Sequence, residues 1–146
     1  MQLPDLLTHP FVPPSLPRAE VLLMAELDAS EPDLRRVDQL LASDPALSFL
    51  VMRSANAKTG GLSGRVHSVS EAMGFLSLQT VRELVDGNAS AMAAFGRVPG
   101  LPLEQFWQYS VDCAKVARSL SAFMHLNQQA AYTAGLLHGL GILLMR

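Results

Sequence analysis

The residues of this chain with chemistry to offer are four histidines, one cysteine and a group of cations around a glycine-rich loop. A hydrolytic metal centre needs several imidazole, carboxylate or thiolate donors converging on one ion. Spacing does not supply them. His9 sits among prolines, His67 in the loop, His125 at the end of a predicted helix, and His138 within Leu-Leu-His-Gly-Leu-Gly. None stands four residues from another histidine, or from a well-placed carboxylate, on a shared helix face. Cys113 is the single cysteine, which excludes an intrachain disulfide and a cysteine-based zinc site. Neither Gly-x-x-x-x-Gly-Lys-Ser/Thr nor Gly-x-Gly-x-x-Gly is present, so no phosphate-cradling loop of those kinds is available. The loop itself is Gly60-Gly61 with Ser63-Gly64. Chain reversal accounts for its glycines, while Arg53, Lys58, Arg65 and Arg82 could meet an anion beside it. Asn56 is the other polar candidate, and its amide can equally bond the backbone of that loop.

Helices must position these residues, because no segment alternates apolar and polar residues with β-branched enrichment. Prolines 4, 10, 13, 14 and 17 forbid a regular helix, so residues 1–17 read as an extended arm over the surface. A first helix is expected over Arg18–Leu27, burying Val21, Leu22, Met24, Ala25 and Leu27. Glu31-Pro32-Asp33 opens a second, with Leu34, Val37, Leu40 and Leu41 as its apolar stripe. Asp44-Pro45 starts a third: Asp can cap free N–H groups and Pro is pre-set for the first turn. Ser68 and Glu71 have capping-box spacing and start a fourth, over Val69, Ala72, Met73 and Phe75–Leu76. Ser77 opens a fifth that runs to about Phe95. Pro102 precedes a long helix from about Leu103 to His125, with Phe106, Trp107, Ser110, Cys113, Ala114, Ala117, Leu120 and Phe123 on one broad face. Asn127 caps the next, and Ile142–Met145 begins a last one after Gly139 and Gly141.

The order Asp44-Pro45-Ala46-Leu47, Ala55-Asn56, Gly61, Val69-Ser70, Ala72 and Leu76-x-Leu78-x-Thr80-Val81-Arg82 resembles the HDOD domain. That family is a mostly regulatory bacterial relative of the HD-superfamily metal phosphohydrolases. The resemblance implies an all-α, compact multi-helix bundle. It divides the chain into a proline-rich arm, 1–17, and a helical HDOD-like domain, 18–146. It also implies that this chain lacks the last helices of the family fold, leaving apolar surface on residues 134–145 free for self-association or a partner.

The superfamily takes its name from an adjacent His-Asp pair that binds a divalent ion, which lowers the pKa of a bound water. The resemblance places His138 at the histidine, but Gly139 at the aspartate. It places Tyr109, in Trp107-Gln108-Tyr109-Ser110, at or near an earlier histidine ligand. Ile142 stands where a lysine is common. His138 is then expected to be a partly buried neutral imidazole bonded to a backbone carbonyl. No metal, cofactor or catalytic residue is expected. Asn56, Arg53, Arg65, Tyr109 and His138 remain as ligand or partner contacts.

Composition sets outer limits. A hydrophobic fraction of 49% with 16% charged residues, over 146 residues, describes one foldable domain with a real core. A net charge of −2 offers no field for nucleic acid or an anionic membrane. The N-terminus lacks the basic and apolar regions of a signal peptide, and the apolar run Leu136–Met145 is too short to span a bilayer. A cytoplasmic, bacterial, non-catalytic signal-transduction module that binds proteins is the resulting expectation. The alternatives are a binding domain for a small anionic signal such as a nucleotide and, third, a divalent-metal phosphohydrolase.

Overall fold

The computed structural model describes residues 11–59, 66–94 and 102–144. The described residues are all-helical with no strand: α1 (Pro17–Leu27), α2 (Leu34–Ala42), α3 (Pro45–Lys58), α4 (Val69–Met73), α5 (Leu78–Ala94), α6 (Leu103–Phe123), α7 (Gln128–Leu137) and α8 (Leu140–Leu144).

Helix starts follow local chemistry. Asp33 accepts from Arg35 N, Asp44 from Ala46 N and Leu47 N, and Asn127 from Gln129 N and Ala130 N. At α4 the Ser68 hydroxyl accepts from Glu71 N, while Glu71 reaches back to His67 N, one residue before the cap. Each cap satisfies donors that the first turn leaves free. The end of α6 closes through paired bonds, Leu126 N to Ser121 O and His125 N to Ala122 O. His125 takes a φ of 53° there, in the position glycine usually fills.

The larger core surrounds α3. Leu23, Val37, Leu41, Leu47, Leu50, Val51 and Val81 are sealed from solvent. Burying each large side chain of this kind contributes about 1.5–3 kcal/mol. A smaller cluster of Trp107, Leu140 and Leu143 takes in Phe11, Leu16, Phe49 and Phe106. Helices α6 and α7 pack along each other, and both touch α3. At their closest approach Gly135 stands where a Cβ would be 2.8 Å from Ala114 Cα. Only hydrogen fits there, and that lets the two backbones meet.

Several expected faces need correction. In α1 the sealed residue is Leu23, whereas Val21 is 67% exposed and Leu22 also faces water. The run Val-Leu-Leu-Met-Ala has no polar residue to mark its outer side. Leu34 lies outside the α2 stripe, and Phe75 lies past the end of α4 and is exposed. In α6, Leu120 and Phe123 are uncovered, Phe123 at 84%. The last helix begins at Leu140, not Ile142.

The arm is the largest departure. Pro13, Pro14 and Ser15 are buried. The Ser15 hydroxyl and Leu16 N each donate to Asp44 Oδ2 at 3.0 Å. Trp107 Nε1 donates to Pro14 O at 3.1 Å. Val12 packs on the larger cluster and Phe11 and Leu16 on the smaller, and Pro17 already forms the first turn of α1.

Candidate functional site

The corner where α6 and α7 part brings two of the sequence candidates together. His138 follows the last turn of α7, and Tyr109 lies in the second turn of α6. Their rings are 5.7 Å apart, inclined at 60°. His138 Nδ1 donates to Gly135 O at 2.6 Å, which leaves Nε2 as the open nitrogen. The carbonyl bond is the one anticipated, but the ring is exposed rather than partly buried. The Tyr109 phenol is held above its usual range, first by its hydrogen bond with the Cys113 thiol one turn on.

Gly139 is buried against Phe106. A Cβ added there would meet Phe106 Cζ at 2.9 Å, so even one carbon requires the ring to shift. Phe106 in turn packs on Trp107, with centroids 5.1 Å apart. An apolar wall thus stands where the resemblance places a ligand. Among the described residues no three His, Cys, Asp or Glu side chains group as a metal set.

Asn56 and Arg53 lie elsewhere and hold backbone. Asn56 closes a bridge across ten residues: Nδ2 donates to Met52 O and Val66 O, and Oδ1 accepts from Val66 N at 3.0 Å. This fastens the chain as it leaves the loop. Arg53 lies across the Phe49 ring, and Nη1 donates to Phe11 O at 2.6 Å, so it anchors the arm. Arg82 pairs with Asp28 and Asp86. Lys58 is exposed. Arg65 and the Gly60–Gly64 loop lie outside the described residues.

Two features emerge only from the tertiary structure. The expected uncovered face on residues 134–145 is mostly closed: Leu136, Leu140 and Leu143 are buried, and Ile142 is the large apolar side chain left open among its described residues. Uncovered apolar surface sits instead along α6, on Tyr109, Val116, Leu120 and Phe123. The spacing of seven, four and three residues was readable, but periodicity reveals a face and not whether anything covers it. The second feature is a cleft between α6, α7 and the first helices, formed by residues far apart in the chain.

An all-α bundle with this helix order and a histidine at this corner defines an HD-like domain. The chain belongs to the HDOD domain family, which it matches over residues 14–146. Its fold is similar to that of the MmoQ response regulator from Methylococcus capsulatus str. Bath. The match has a TM-score of 0.77 and 27% identity, covering 89% of this chain and 53% of that one. A second crystal structure of that regulator, fragment 20–298, matches with a TM-score of 0.75 and 25% identity, over 92% and 52%. The chain therefore spans about half the length of those solved chains. No curated protein matches it. No helix among the described residues is long and apolar enough to cross a membrane.

Proposed function

We propose that this chain is a non-catalytic module of bacterial signal transduction that works, in the cytoplasm, by binding another protein. The observation that carries the reading is the contact between Phe106 and Gly139. Where an HD hydrolase holds its ion with an aspartate, this chain has a bare backbone under a phenyl ring. Tyr109 beside His138 adds a phenol in place of a second imidazole. One imidazole does not hold a catalytic ion in place. The similarity to a response regulator supports a signalling setting.

The uncovered stripe of α6 supports protein binding. Tyr109, Val116, Leu120 and Phe123 recur at the spacing by which one helix reads another, so the partner surface is a helix. The net charge of −2 gives no reason to invoke nucleic acid.

The test is metal analysis of the purified chain together with a phosphodiesterase assay on bis-p-nitrophenyl phosphate and a cyclic dinucleotide. Far less than one metal per chain and no turnover above buffer is the expected result. One manganese or iron ion per chain, with turnover abolished by His138→Ala, would overturn the reading.

A further inference from the structure

A cleft of about 510 Å³ opens where α2, α4, α6 and α7 meet. It lies along the seam between the α3-centred core and the α6–α7 pair, away from the His138 corner. Its size falls in the range of small-molecule sites, roughly 300–1,000 Å³, which favour such seams.

The α6 wall is cationic. Lys115 and Arg118 stand about one turn apart, and both line the cleft. The Arg118 guanidinium lies over the Tyr132 ring, 5.3 Å from its centroid. It makes no ion pair with a carboxylate among the described residues. Stacking occupies the face of a guanidinium and leaves its N–H edge free to donate. Tyr132 is itself fixed, because its hydroxyl donates to Ala42 O at 2.9 Å across the seam. The cation therefore rests on a platform held in place before any ligand arrives. Among the described residues Lys115 has only an exposed pair with Asp112 at 3.4 Å, a contact worth little in water.

The opposite wall offers Ser70 and Asp38, and Val69 and Val111 give the cleft an apolar part. Burial, before any other cause, holds the Asp38 carboxyl above its usual range, with Ser70 acting against it. The lining thus carries two cations, Lys115 and Arg118, against one carboxylate, Asp38.

We propose that this cleft binds a small organic molecule bearing one oxyanion group, phosphate or carboxylate. The anion sits on Arg118 and Lys115, and the organic body lies over Val69 and Val111. Such a ligand touches α6 and α7 on one side and α2 and α4 on the other. Binding would therefore stiffen the seam, and this gives the domain a route for sensing a metabolite.

The experiment is a titration of the 15N-labelled chain with 5′-AMP, benzoate and adenosine, followed through backbone amide shifts. The two anions separate phosphate from carboxylate, and adenosine lacks the anion. Saturable shifts at Ser70, Lys115, Arg118 and Thr133 with AMP, benzoate or both, and none with adenosine, are expected. Arg118→Gln should weaken that binding about tenfold, the worth of one charge-assisted hydrogen bond. Lys115→Gln provides a second variant that leaves the Tyr132 platform intact, and the amide spectrum of each variant reports its fold. The proposal fails if neither anion gives saturable shifts at the cleft up to tens of millimolar. It also fails if adenosine binds equally well, or if both folded variants retain full affinity.

Discussion

The junction around Asp44 and the outer face of α6 are built on opposite terms. Asp44 is 1% exposed and accepts four hydrogen bonds: two from the first turn of α3 and two from the arm. Burial nevertheless keeps its carboxyl above the usual range, with Leu16, Leu47, Ser15 and Ala46 opposing. Among the described residues no sealed side-chain nitrogen or oxygen lacks a partner. Along α6, by contrast, Val116, Leu120 and Phe123 face water with nothing packed over them. Stability is therefore concentrated at the first region. The second is free to vary or to bind, since substituting it costs the fold little.

The sharpest break in that comparison is Asp44→Ala. It removes a helix cap and strands the donors of the arm, at a cost of about 3 kcal/mol in denaturant unfolding. Asp44→Asn should cost roughly half as much. Its Oδ1 can still cap α3, but its NH2 meets the Leu16 N–H and Ser15. Equal losses for the two variants would show that the cap on α3 contributes nothing, and no loss in Asp44→Asn would show the same of the arm contacts.

Gly135→Ala comes next. Its new carbon would press on the Ala114 backbone, and overpacking of this kind costs about 1–3 kcal/mol. Gly87→Ala, in the middle of α5 with open space around it, should instead stabilise by about 0.5–1 kcal/mol. If both variants melt at the wild-type temperature, the close approach of α6 and α7 does not govern the fold.

On the open face, the double change Leu120→Ser with Phe123→Ser should shift stability by no more than about 0.5 kcal/mol. A loss several times larger in a thermal melt would mean that this face is covered in solution.

The smallest effect is with pH. Glu20, Asp38 and Asp44 all hold their carboxyls above the usual range, with burial as the first cause in each. The folded chain then binds these protons more tightly than the unfolded chain. Between the unfolded and folded pKa values it carries more protons, so stability falls as pH rises through that window. Melting temperature should be slightly higher in mildly acid buffer than at neutral pH, with a shallower slope in Asp44→Asn. A melting temperature that climbs steadily towards neutrality contradicts this.

The starts of α3, α4 and α7 were legible because a cap is chemistry between a side chain and an amide two or three residues on. The apolar stripe of α2 was legible only in part, since Val37 and Leu41 are sealed while Leu34 is not. At the candidate site, His138 and Tyr109 were both picked out, but their pairing and the phenyl over Gly139 were not. Asn56 bonds Val66 across a loop whose path the spacing did not reveal.

The sequence by itself determined that this chain is a helical bundle, where its capped helices begin, and that its motif histidine is followed by a residue with no side chain. Those are properties of neighbours along the chain, set by hydrogen-bond reach and helical period. Only the tertiary structure decided that Pro13, Pro14 and Ser15 are buried against Trp107 and Asp44, that α6 keeps an open apolar stripe, and that Arg118 rests on Tyr132 beside a cleft. These depend on which faces the packed core leaves adjacent or open, and no local rule fixes that for groups as far apart as Pro14 and Trp107, 93 residues along the chain.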